Sequence, residues 1–185
     1  LSGVDRFYLT LNYKKNLIKS YLSYKLKSLD INYLEEKKSL GSAGSLSFFK
    51  KNFYKDFFVI NCDTLLDINF KQLYLFHKKK QNDLSIVAAN KNFLIPYGCC
   101  ALNKNGQLEK IYEKKKYSEL VNVGMYVFSS KVLNLIKTNS KIDMDDLIYK
   151  ILKKKLKIGV FSINENAWID TGTLKNITLK DFKLK

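Results

Sequence analysis

From Asp5 to Asn90 the chain alternates between β-favouring runs and runs with helical spacing, and that alternation limits the fold more than any other feature. "DRFYLTL" (Asp5 to Leu11) is rich in aromatic and β-favouring residues and predicts a strand. "NYKKNLIKSYLSYKLKS" sets Leu17, Ile18, Tyr21, Leu22 and Leu26 near helical spacing, and "DINYLEE" predicts a short strand. "GSAGSLSFFKKN" reads as a glycine-serine loop opening into a helix. "DFFVIN" predicts a buried strand, "NFKQLYLFHKKKQ" an amphipathic helix and "DLSIVAAN" a further strand. A chain ordered this way is most economically α/β, with a mixed, mostly parallel central sheet covered by helices.

Beyond Pro96, the only proline, the character changes. "YGCCALNKNGQLEKIYEKK" is two strands around the turn "NKNG", an antiparallel hairpin insertion. "LVNVGMYVFSS" and "KIGVFSI" predict strands, "KVLNLIKT" and Met144 to Leu156 helices, and "AWIDTGTLKNITLKDFKLK" a loop with a terminal helix. At 185 residues with no low-complexity linker, residues 1–185 are expected to form a single domain.

Charge separates the classes of partner. The formal charge is +16, yet Arg6 is the only arginine among 33 basic residues. Base-edge readout relies on the guanidinium fork, so specific nucleic-acid binding is not expected; a lysine-rich surface still attracts phosphorylated substrates. No apolar run is long enough to span a bilayer, which argues against membrane insertion. Cys62, Cys99 and Cys100 have no metal-ligand spacing, and their odd number argues for a reducing, cytoplasmic setting. His77 has no evident partner.

Two carboxylates stand out. Asp63 follows "FFVINC" at the carboxyl end of a strand, where ligands gather in open α/β sheets, and a carboxylate there suits a hard cation such as Mg2+. Asp67 reads as a loop residue or a helix cap. Asp170, in "WIDTGT", is either a second ligand or an Asp closing a turn. If the two meet in space, a cation between them becomes the favoured explanation. Gly41 and Gly44 would allow close backbone approach to a ligand. Glu113 and Lys114 lie side by side on a strand in this reading, so one of them points inward. Asn122 and Gly124 add an amide and a second close-approach glycine.

In order along the chain, "EKKSLGSAG", "FFVINCD", "YGCCALNKNGQLEKIYEK", "VNVGMYVF" and "WIDTGT" resemble the motifs of the sugar-phosphate nucleotidyltransferases, the pyrophosphorylases that make nucleotide sugars. The flavour of "LGSAG" is closest to mannose- or heptose-1-phosphate guanylyltransferases. The resemblance implies a three-layer, Rossmann-like nucleotidyltransferase fold and Mg2+-dependent reaction of a nucleoside triphosphate, GTP favoured, with a sugar 1-phosphate. It implies that Asp63 and Asp170 hold the metal and that Leu40, Gly41 and Gly44 lie along the nucleotide together with Asp63. Gly98, Glu113 and Asn122 would meet sugar hydroxyls and Lys114 the sugar's phosphate. It leaves a homo-oligomer open. Cys62 stands where the family has glycine, Lys115 where it has proline, and Ser39 and Ser42 replace Pro and Thr. The family's first strand and glycine-rich phosphate loop have no counterpart here, so an N-terminally incomplete, inactive fragment is expected. A non-catalytic, nucleotide-sugar-binding relative is the alternative.

Overall fold

The computed structural model describes residues 3–49 and 55–172. Its described strands are β1 (Arg6–Leu11), β2 (Asp30–Glu35), β3 (Asp56–Ile60), β4 (Thr64–Leu66), β5 (Leu84–Leu94), β6 (Cys99–Leu102), β7 (Leu108–Tyr112), β8 (Lys116–Ser129), β9 (Ile158–Asn164) and β10 (Trp168–Asp170). The helices are α1 (Lys15–Lys25), α2 (Gly41–Gly44), α3 (Phe70–Lys80) and α4 (Met144–Lys153). A four-stranded sheet of order β3-β8-β5-β9 is central, and β1 pairs with β2 in parallel. The fold is therefore mixed α/β.

Two compact units are present. One is drawn from Leu1–Val59, Asn69–Ser85 and Tyr126–Gly159, the other from Ile60–Ile68, Ile86–Met125 and Val160–Lys185. In the first, helix chemistry explains the helices. Asn69 caps α3 by accepting the Gln72 N–H at 3.0 Å, so Asp67 is the loop residue and not the cap. Leu73 and His77, one helical turn apart, are the buried face of α3. In α4, Met144, Leu147 and Ile151 are buried, with Asp145 and Asp146 in the first turn and Lys150 and Lys153 in the last, matching the helix dipole. Rings of Tyr8, Phe49, Phe57 and Phe128 follow one another at 5.2, 6.1 and 5.9 Å between centroids and form an aromatic column in this core.

His77 has partners after all. Ser85 Oγ lies 2.9 Å from His77 Nδ1 and accepts the Asn82 amide at 3.0 Å. On the other side of the ring, Nε2 lies 3.6 Å from Asp56 Oδ1, so the imidazole is flanked by Ser85 and Asp56. Burial is the main cause that lowers the His77 pKa below its ordinary value, and Asp56 opposes it.

In the second unit, β6 and β7 pair antiparallel as the expected hairpin, with a register irregularity at Ala101/Leu102. Several expectations need correction. "WID" is a strand and not loop: β10 pairs antiparallel with β4, a three-residue strand too short to carry a period of its own. Residues Ser130–Leu135 form a 3-10 helix in place of the expected α-helix. β3 is half-buried and not buried, because it ends the order of the central sheet. The terminal helix expected after "WIDTGT" lies outside the described residues.

Candidate active site

Asp63 sits in the turn that follows β3, closed by Thr64 N–H donating to the Asn61 carbonyl at 3.3 Å. That turn is pinned from two sides. On β8, the Asn61 N–H donates to the Gly124 carbonyl at 2.9 Å, and the Thr64 hydroxyl donates to the Val123 carbonyl at 2.8 Å. From beyond β10, Thr171 gives both its N–H, at 2.8 Å, and its hydroxyl, at 3.0 Å, to the Asp63 carbonyl. Gly124 has φ +75, and a Cβ there would come within 2.5 Å of Asn61 Nδ2. Only glycine lets β8 pass this close to the turn.

β10 runs in register with β4 so that Asp170 lies opposite Thr64, the neighbour of Asp63. The Gly172 N–H then donates to Asp170 Oδ1 at 2.9 Å, so Asp170 also closes the turn. The two readings of this residue are compatible. A single point, the place a Cβ on Gly172 would take, is 3.0 Å from Asp63 Oδ2 and 3.2 Å from Asp170 Oδ1. Two carboxylates from segments about a hundred residues apart thus face one small volume. Among the described residues no lysine or arginine forms an ion pair with Asp63. Like charges so placed disfavour each other unless a cation lies between them. Among the described residues no cluster of three or more His, Cys, Asp or Glu side chains is gathered for a metal. Two carboxylates are a donor set that could hold Mg2+, an ion that takes one or two carboxylates and completes its shell with water and phosphate oxygens.

The sugar-side candidates are in the same unit. A Cβ on Gly98 would be 3.1 Å from Glu113 Oε1, so the hairpin does bring Glu113 over Gly98. Glu113 and Lys114 are not on a strand, however. They form the turn between β7 and β8, Lys114 has φ +49, and both are exposed. The turn removes the alternation of faces that a strand would impose, so neither side chain is forced inward. Asn122 lies on β8, and its side-chain oxygen accepts the Gly124 N–H at 3.1 Å. Cys62 is exposed, so its extra bulk points away from the packed side of the turn.

Leu40, Gly41 and Gly44 belong to the other unit. The Leu40 side chain is core, and its N–H donates to Glu36 Oε2 at 3.2 Å. Gly41 has φ +77, and a Cβ there would collide with Asp143 Oδ1 at 2.5 Å and the Ile142 carbonyl at 2.6 Å. Gly44 faces the Ser140 carbonyl at 2.8 Å in the same way. The segment ahead of α4 fills the space that both missing side chains leave, which accounts for the glycines within the fold. Asn61, Thr64 and Thr171, which hold the Asp63 turn, and Asp143, which contacts the loop, were not singled out in the sequence for these tasks. A polar residue beside a motif carries no mark of what its side chain will hold.

Comparison with known proteins follows the same lines. The nucleotidyl transferase family model matches residues 1–181. Mannose-1-phosphate guanylyltransferase catalytic subunit beta of Dictyostelium discoideum is 28% identical over 181 residues, covering 94% of this chain and 50% of that protein. Mannose-1-phosphate guanyltransferase of Aspergillus oryzae is 28% identical over 187 residues, covering 95% and 50%. The chain spans about half the length of the curated relatives it matches. HddC from Yersinia pseudotuberculosis superposes with a TM-score of 0.67 at 23% identity, over 92% of this chain and 75% of that one. The inositol-1-phosphate CTP transferase from T. maritima does so at 0.65 and 20% identity, over 97% and 75%. These two share the fold, which is Rossmann-like. Matched over nearly its whole length, the chain belongs to the nucleotidyl transferase family.

Proposed function

We propose that the protein transfers a nucleotidyl group from a nucleoside triphosphate to a sugar 1-phosphate, with Mg2+ as cofactor. A phosphate oxygen of the sugar 1-phosphate forms a bond to the α-phosphorus, the bond from that phosphorus to the α,β-bridging oxygen breaks, and pyrophosphate leaves carrying that oxygen. The observation that carries this reading is the meeting of Asp63 and Asp170 around Gly172, 3.0 and 3.2 Å from one point. Mg2+, when bound there, would neutralise phosphate charge as it is redistributed.

The chain's own part is positioning. The hydrogen bonds from Thr64, Asn61 and Thr171 fix the turn that aims Asp63. Gly98, Glu113 and Asn122 are assigned to the sugar hydroxyls and Lys114 to its phosphate. The backbone from Leu40 to Gly44 is assigned to the nucleotide. The names of the relatives favour GTP and a mannose-like sugar 1-phosphate. A formal charge of +16 raises the local concentration of such polyanions. Three free cysteines fit a reducing cytoplasm.

The test is pyrophosphate release by the complete protein from GTP, CTP, UTP or dTTP with hexose and heptose 1-phosphates under Mg2+. Asp63→Asn and Asp170→Asn should each lower kcat by about a hundredfold or more, the scale seen when one electrostatic contact to a transition state is lost. Asp67→Asn should leave it unchanged. Turnover with no pair, or sensitivity at Asp67 in place of Asp63, would overturn the proposal.

A further inference from the structure

The loop before the core of the first unit and the start of α4 exchange their caps. Asp143 occupies the N-cap position of α4 with extended backbone, yet its side chain makes no capping bond to its own helix. Its Oδ1 instead accepts the Ser42 N–H of α2 at 3.0 Å. Ser42 returns the contact: its hydroxyl accepts the Met144 N–H, the first amide of α4, at 2.8 Å. Two backbone bonds flank this exchange. The Ala43 N–H donates to the Ile142 carbonyl at 3.1 Å, and the Ile142 N–H donates to the Leu40 carbonyl at 2.9 Å. Each helix start therefore has an otherwise orphaned amide satisfied by the other's side chain.

The exchange explains the glycine at 41 in a way the motif alone does not. Asp143 Oδ1 can reach Ser42 only across the space that a side chain at 41 would fill. The bond to Ser42 has a charged acceptor, so it is stronger and more directional than a neutral one. Leu40 is anchored in the core and held at its N–H by Glu36, so the loop is tied at both sides of Gly41.

We propose that Ser42 and Asp143 form a reciprocal clamp that sets the position of the Leu40–Gly44 backbone, making Asp143 a positioning residue for the nucleotide although it lies a hundred residues downstream. The proposal rests on the nucleotidyl-transfer reading for its kinetic consequence, and on the geometry alone for the clamp.

Two measurements separate these. The first is amide hydrogen exchange of the peptide spanning residues 40–46. Asp143→Ala and Ser42→Ala should each accelerate exchange there while leaving β5 unchanged. Asp143→Asn, which keeps an acceptor oxygen, should restore slow exchange. Unchanged exchange in both alanine variants would overturn the clamp whatever the activity. The second is steady-state kinetics. Asp143→Ala should raise KM for the nucleotide about tenfold, the size of one lost charge-assisted hydrogen bond, with kcat and the KM for sugar 1-phosphate nearly unchanged. Asn should recover most of that KM. A parallel loss in kcat and both KM values, or an Asn variant as impaired as Ala, would overturn the positioning role. If the wild-type protein releases no pyrophosphate with any substrate pair, the proposed function fails, and the exchange experiment still decides the clamp.

Discussion

Replacing Asp63 with Asn should make the metal-free protein more stable while removing its response to Mg2+. Since Asp63 Oδ2 and Asp170 Oδ1 each lie close to the same point, their charges are at most about 6 Å apart. At that distance two full charges repel by about 0.7 kcal/mol in a water-like dielectric, and by about 3 kcal/mol at an effective dielectric of 20. Asp63 is exposed and Asp170 half-buried, so the lower figure governs. Thr171 holds the Asp63 turn through the main-chain carbonyl, which Asn keeps, so the turn survives and only the charge goes. For a chain of this size the relief should raise Tm by about 1–3 °C in EDTA at low salt, and high salt should shrink the gain. Mg2+ at ten times its dissociation constant would stabilise the wild type by about 1.4 kcal/mol, or about 3–6 °C, and leave Asp63→Asn nearly where it was. Thermal unfolding of both proteins in EDTA and in a Mg2+ series decides the matter. A lower Tm for Asp63→Asn in EDTA, or equal Mg2+ shifts in the two proteins, would refute the cation between the carboxylates.

His77 is the only histidine, so stability between about pH 5 and 7 is largely its own report. Its folded pKa is lowered from 6.5. The unfolded chain therefore takes up a proton that the folded one resists, and stability falls as pH drops below 6.5. Urea midpoints at pH 7.5 and 5.5 should show the fall in the wild type and a flat profile in His77→Gln; equal midpoints in the wild type would remove the argument. Gly124→Ala should cost about 1–2 kcal/mol from its left-handed backbone alone, and more because Asn61 must move. Chemical denaturation reads the loss, and an unchanged midpoint would mean that β8 does not need its glycine.

What the sequence disclosed, and what it withheld, follows from how far each interaction reaches along the chain. Helices with a buried stripe were legible because their signals fall within one or two turns, as Met144, Leu147 and Ile151 do in α4. The cap of α3 was sought two residues early, at Asp67 in place of Asn69. The hairpin around "NKNG" was legible for the same local reason. β4 and β10 were not, since each has three residues and exists through pairing with the other. The meeting of Asp63 and Asp170 was inferred from motif order and not from any local pattern. The turn at Glu113 and Lys114 was misread as strand because the left-handed backbone falls on lysine, where no glycine announces it.

The glycines show why motif reading alone cannot separate a ligand's space from the protein's own. Gly41, Gly44 and Gly124 all stand in family-like segments, yet their absent side chains make room for Asp143, Ser140 and Asn61 respectively. Gly98 and Gly172 differ: what faces them is carboxylate oxygen, from Glu113 in one case and from Asp63 and Asp170 in the other. A methyl group at either place would press on side chains assigned to substrate or cation and leave the hydrophobic core untouched. Substitutions in the first set should therefore register chiefly as lost stability, and those in the second as lost turnover in a protein that still folds. The distinction comes from which atoms lie across from the missing Cβ, and it divides five residues that look alike in the sequence.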